Sequence, residues 1–193
     1  YYPYGKLFAH TLGYVGRINE RELSSFDKDQ VRRYNGTHTL GKIGIEREYE
    51  PQLLGEVGWQ HIEKNAHGRI LRVLKREDPV PGKDLHLHLD MNLQRVSAEA
   101  LDGERGAVVV MDVESGGVLA MVSAPSYDPN LFVTGISHKD YSALNESRDL
   151  PLFNRTVQGQ YPPGSTLKPM IGLGGLESGL IDHATVVPDP GYY

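Results

Sequence analysis

Pro162, Pro163 and Gly164 stop any helix arriving from upstream, and Pro169 is tolerated only in a helix's first turn, where amide hydrogens lack an intrahelical partner. Between those limits, the helix that continues through Met170, Ile171, Leu173 and Leu176 has one place to begin, at or just after Ser165. The serine hydroxyl is thereby set at a helix N-terminus, and Lys168, three residues on, shares its face. Such a pair reads as a nucleophile and its base. The terminal amides and the positive end of the helix dipole favour an alkoxide or an acyl oxyanion at that point. The apolar side chains, with Gly172, Gly174 and Gly175, predict a buried helix closely approached by neighbours, and burial favours the neutral amine a base must be. The competing reading is structural: Ser165 caps the helix and Lys168 is a surface charge.

The spacing by itself carries little weight. With 11 serines and 8 lysines in 193 residues, random placement gives about 0.5 Ser-x-x-Lys matches. A second one exists at Ser25 and Lys28, but Asp27 beside the lysine keeps it charged, and the stretch reads as a solvated surface. The surroundings, prolines at Ser165 and a carboxylate at Lys28, distinguish the two.

Ser165 stands 28 residues from the C-terminus, which leaves little chain to supply the other groups such a site needs. The expectation is an enzyme cut short. A net charge of -5 provides no basic footprint for nucleic acid. No apolar run approaches the ~20 residues that span a bilayer, and no signal-peptide pattern opens the chain, so any membrane anchor is expected to lie upstream. The absence of cysteine excludes disulfides, thiolate metal sites and cysteine nucleophiles.

Asp78, Pro79, Val80, Pro81 and Gly82 interrupt the pattern and divide the chain into regions 1–78 and 79–193. In the first, residues 18–34 and 43–54 read as helices, and residues 57–62 and 69–74 as strands of a hairpin turning over Asn65 to Gly68. It reads as a spacer with a modest core. In the second, leucines 85, 87 and 89 alternate with His86 and His88 as a half-buried strand. A helix over 92–101 follows, with Leu93, Val96, Ala100 and Leu101 as its buried stripe. Residues 107–112 and 118–123 form a second hairpin, a short helix covers 138–145, and the Ser165 helix comes last. The mixture is α+β.

Other candidate sites are weaker. Asp84, His86, His88 and Asp90 fall on one strand face at a spacing that suits a metal, although an exposed polar face accounts for them as well. Asp189 alone is not a site. Asp128 and Asn130 are expected to organise a turn through their side chains. Tyr161 lines a cleft or packs beside the helix start.

Several motifs in order resemble the class B penicillin-binding proteins, in particular those of the rod-shape elongation system. They are Tyr1-Tyr2-Pro3-Tyr4-Gly5 with Gly13-Tyr14-Val15-Gly16; Gly41-Lys42-Ile43-Gly44-Ile45-Glu46; Gly116-Gly117-Val118-Leu119-Ala120-Met121-Val122-Ser123; Pro125-Ser126-Tyr127-Asp128-Pro129-Asn130; and Asn154-Arg155 ahead of the Ser165 motif. The resemblance implies an extended pedestal over 1–78, followed by a truncated N-terminal part of a serine acyltransferase (transpeptidase) α/β domain over 79–193. It implies a peptidoglycan DD-transpeptidase with Ser165 and Lys168 catalytic, no cofactor and no metal. Stem peptides would be its substrates, and β-lactams would acylate Ser165. RodA-type glycosyltransferase and MreC-type scaffold partners, a membrane anchor outside the chain, and the periplasmic face of the inner membrane are implied too. The family's later elements, Ser-x-Asn and Lys-Thr-Gly, occur nowhere after Lys168, so the chain by itself is expected to be inactive or very weak. The glycines of the Gly41 motif are expected to make turns, with Glu46 paired to Arg47 or Arg69. Two rivals remain: a β-lactam sensor or β-lactamase-like protein, against which the long first region speaks, and a non-catalytic docking pedestal.

Overall fold

Asn19 and Asp27 each accept a hydrogen bond from the amide three residues on, Glu22 and Gln30, whose side chains bond back to the capping residue's own N–H. Two capping boxes in succession start two helices, so residues 18–34 form not one helix but two, α2 (Glu20–Ser25) and α3 (Lys28–Arg33), parted by the extended Phe26. The chain, a computed structural model, is described for residues 1–186, 188 and 190–191. It forms two compact units, Tyr1–Gln158 and Gly159–Tyr193.

In the first unit, α1 (Ala9–Leu12) leads into β1 (Tyr14–Arg17), which pairs antiparallel with β2 (Thr39–Ile43). Ile43 ends this strand, and the expected helix over 43–54 becomes two short ones, α4 (Gly44–Glu48) and α5 (Glu50–Leu53), with Pro51 in the first turn of the second. Gly13 and Gly44 both have positive φ and meet back to back: a Cβ on Gly13 would fall 1.9 Å from the Ile43 carbonyl oxygen. The expected turn role of Gly44 thus has a steric cause. Glu46 accepts from the Tyr2 hydroxyl at 3.0 Å in place of the expected arginine pairing, and that same hydroxyl accepts from the Val15 amide at 2.7 Å.

The first hairpin is β3 (Trp59–Lys64) with β4 (Ile70–Glu77), antiparallel and longer than expected, with Asn65 capping its turn by accepting from His67 and Arg69 amides. No strand forms over 85–89. Alternation makes a strand only where a neighbour offers a ladder; residues 85–89 join none among the described residues, and just beyond them the Asp90 N–H bonds Leu119 O at 2.8 Å. Next come α6 (Met91–Ala100), capped by Asp90, and the second hairpin, β5 (Gly106–Met111) with β6 (Val118–Ala124). Helices α7 (Asn130–Val133), α8 (His138–Asn145) and α9 (Arg155–Gln158) complete the unit, α8 with the bounds its sequence predicts.

The buried face of α6 is polar. Gln94 and Ser97 are buried, whereas Val96 of the expected apolar stripe is 57% exposed. Gln94 explains the inversion: its amide nitrogen donates to Leu7 O and Met121 O, and its carbonyl accepts from Met121 N–H. Both polar atoms of the Gln94 side chain find backbone partners, so its burial costs little. Ala9, Tyr127 and Phe132 form the core, with Tyr14, Ile136, Leu144 and Leu152 against it; the Tyr14 and Phe132 rings stack at 4.2 Å. The opening residues therefore pack with residues far beyond the break at 78–82. Tyr2 and Asn130 exchange two hydrogen bonds, Thr11 donates to Met121 O, and Asn154 donates to His10 O. Asn130 also bonds Asp128 through its amide and side chain, which is the expected turn.

Candidate active site

The second unit is small. Its prolines produce a 3-10 turn, Gly164–Leu167, followed directly by α10 (Lys168–Glu177), with Pro169 in the first turn and Gly164 at positive φ. The Lys168 amide donates to the Ser165 carbonyl, and Thr166 donates through both its amide and its hydroxyl to Pro163 O. In 3-10 geometry residues i and i+3 eclipse, so the side chains of Ser165 and Lys168 leave the helix on the same side. The helix start is where the prolines require it.

Neither the 3-10 turn nor α10 has a side-chain N-cap. The Ser165 hydroxyl makes no hydrogen bond, and Lys168 no ion pair, among the described residues. A capping serine would satisfy an N-terminal amide; this one is unengaged. Ser165 therefore does not cap the helix, while Lys168 is exposed, as the competing reading has it.

Burial is where expectation and structure part. Ser165 and Lys168 are exposed, as are Met170 (66%) and Ile171 (64%) on the apolar helix, and a Cβ on Gly172 or Gly174 would meet nothing within 4 Å. Apolar composition records what a helix is suited to pack against, and ten residues in so small a unit have too few neighbours to bury it. The helix closes with Gly179 at φ +70, where Leu180 N–H reaches Gly175 O and Gly179 N–H reaches Leu176 O, a Schellman end. Tyr161 is 61% exposed.

The remaining candidates separate. Ser25 ends α2, bonding Glu22 O, and Lys28 begins α3, so this second Ser-x-x-Lys pair does not share a helix. His86 and His88 are exposed, and among the described residues no group of three histidines or carboxylates could hold a metal. Asp189 lies outside the described residues. Within the first unit, two buried polar side chains hold backbone in place, Gln94 and Arg155. The Arg155 guanidinium is buried and donates to the carbonyls of Asp149, Leu150 and Phe153, while its amide donates to the Ser123 hydroxyl. Arginine before the helix motif was the available signal; its carbonyl partners, close in sequence but brought together by a fold of the chain, were not.

Fold, motif order and the serine–lysine turn define one class. Residues 1–87 match the family described as Penicillin-binding Protein dimerisation domain, and residues 106–193 the Penicillin binding protein transpeptidase domain. The chain belongs to the class B penicillin-binding proteins.

Within that class the relatives it matches include MrdA proteins. The chain is 56% identical, over all its 193 residues, to the peptidoglycan D,D-transpeptidase MrdA of Acinetobacter baumannii, and 48% identical over 194 aligned residues to MrdA of Escherichia coli K12. It spans 28% and 31% of those relatives' lengths, and so corresponds to a fragment of them. Among solved structures, Pseudomonas aeruginosa PBP2 in complex with WCK 5153 matches with a TM-score of 0.86 at 51% identity, covering all of this chain and 38% of that one. Helicobacter pylori PBP2 in complex with MreC matches at 0.86 and 37% identity, covering 97% of this chain and 34% of that one.

Proposed function

We propose that this chain is part of a peptidoglycan DD-transpeptidase and contributes its nucleophile. The observation carrying this reading is the uncapped Ser165 hydroxyl at a proline-set helix start, one turn from Lys168, inside the stretch matching the transpeptidase family. Ser165 Oγ attacks the carbonyl of the D-Ala-D-Ala bond as Lys168 accepts its proton. The Ser165 amide, at the helix start, donates to the oxyanion. Collapse of the tetrahedral intermediate expels D-alanine, which takes the proton, and an amine of a neighbouring stem peptide then displaces the serine to form the cross-link. A β-lactam acylates the same oxygen.

Residues 1–78 serve as pedestal and 79–193 begin the catalytic domain. By similarity to the H. pylori protein solved with MreC, an MreC-type scaffold is a partner. A RodA-type glycosyltransferase, a membrane anchor outside these residues and the periplasmic face of the inner membrane complete the proposal. Lacking Ser-x-Asn and Lys-Thr-Gly, the 193 residues by themselves are inactive or nearly so; one missing oxyanion donor alone costs ~10²–10³ in rate.

Intact-mass spectrometry after exposure to a penicillin tests this on the chain and on a parent-length protein, each with Ser165→Ala. One drug mass is expected on the parent-length protein only, and none on its Ser165→Ala variant. A folded parent-length protein that never labels overturns the reading. The exposed Ser165 and Lys168 also favour, as a second reading, a docking pedestal; MreC-type scaffold binding unchanged by Ser165→Ala, in a protein that does not label, supports it.

A further inference from the structure

Ser165 and Lys168 are both exposed and, among the described residues, no partner holds the hydroxyl or the amine, so backbone geometry sets their relation. That geometry changes at one residue. Leu167, with φ -81 and ψ -19, belongs to the tight turn, and Lys168, with φ -57 and ψ -42, is the first α-helical residue. The carbonyls of Pro163 and Ser165 each accept from the amide three residues on, those of Thr166 and Lys168. An α-helix would instead offer the Ser165 carbonyl the amide four residues on. That residue is Pro169, which has no N–H. A proline elsewhere in the first turn of α10 would permit the same helix start. At position 169 it removes the α-helical donor of the serine's own carbonyl.

We infer that Pro169 is a positioning residue for acyl transfer: by withholding an N–H from the Ser165 carbonyl, it keeps Lys168 in the three-residue turn and eclipsed with Ser165, where the amine reaches the hydroxyl proton. At 3.0 residues per turn the two side chains coincide in projection, and at 3.6 they part by about 60°. Proton transfer needs heavy atoms roughly 2.6–3.2 Å apart, so a swing of that size lowers the share of Lys168 conformers within reach. The flexible four-carbon stem recovers part of that reach, which limits the expected loss to about 10-fold, below the ~10²–10⁴ of a missing base. The inference rests on the reading of Ser165 as nucleophile and Lys168 as its base.

Rapid-quench acylation by benzylpenicillin tests it in the parent-length protein, with Pro169→Ala and with lactic acid at position 169, an alanine lacking its N–H, introduced by nonsense suppression. Pro169→Ala is expected to lower the limiting acylation rate constant about 10-fold and to leave the half-saturating penicillin concentration unchanged. Its melting midpoint is expected to hold, because the new amide bond to Ser165 O offsets the lost rigidity of proline. The lactic acid variant, with neither ring nor donor, is expected to acylate within about twofold of wild type. Pro169→Ala acylating at the wild-type rate, a loss that falls on the half-saturating concentration, a melting midpoint that drops with the rate, or a lactic acid variant as slow as Pro169→Ala overturns the inference alone. A folded wild type that never labels at Ser165 overturns the transpeptidase reading, and this inference with it.

Discussion

Gln94 and Met121, 27 residues apart, exchange two hydrogen bonds: the Met121 amide donates to the glutamine carbonyl at 2.7 Å, and the glutamine amide returns to Met121 O at 2.9 Å. With its third bond, to Leu7 O at 2.8 Å, this wholly buried side chain ties α6, β6 and the opening segment together. The side chain acts as a length of backbone ladder placed between elements that share no sheet.

Gln94→Leu keeps the volume and leaves the Met121 amide without its partner. A loss of about 2–4 kcal/mol is expected from the stranded backbone groups. Urea unfolding followed by Trp59 fluorescence measures it, and a midpoint equal to wild type refutes the role.

Gly13→Ala forces a Cβ to within 1.9 Å of Ile43 O, against backbone that cannot swing away, and at φ +77. Destabilisation above about 3 kcal/mol is expected, while Gly68→Ala, at φ +78 with open space around it, costs about 1–2 kcal/mol. Thermal melts of the two variants give the comparison, and equal shifts would refute the steric account.

His10 is buried with its Nε2 unpartnered, and desolvation, with Arg155 nearby as a lesser cause, lowers its pKa below the ordinary 6.5. The unfolded imidazole takes a proton that the folded one resists, so unfolding takes up protons. His10's contribution is whole above pH 6.5 and is lost as pH falls from 6.5 through the lower folded value. Denaturation at a series of pH values is expected to show stability falling below 6.5, and His10→Phe to flatten that fall. An unchanged slope in the variant removes His10 as the cause.

Ser165→Ala is expected to leave the stability of the chain within about 0.5 kcal/mol, because no cap bond is lost. A loss near 1 kcal/mol would restore the capping reading. In the parent-length protein, Lys168→Ala is expected to slow acylation by penicillin about 10²–10⁴-fold, as for a missing general base, measured by stopped-flow or quench.

Local rules were enough for both hairpins, for α8 and for the start of the Ser165 helix, because turn residues, capping serines and prolines act within a few positions of themselves. They even located the candidate serine. The break within 18–34 is local too, since Asp27 with Gln30 is a second helix start signal carried by the sequence itself. The strand over 85–89 and the stripe on α6 failed differently. Whether alternating leucines become a strand depends on a partner's free edge, and whether a glutamine is buried depends on backbone groups 27 and 87 residues away. Order along the chain determined where helices and turns begin and where the Ser-x-x-Lys pair of Ser165 and Lys168 sits. Tertiary structure alone decided which faces are covered, because burial is a property of what arrives opposite a side chain, and distant backbone supplies it.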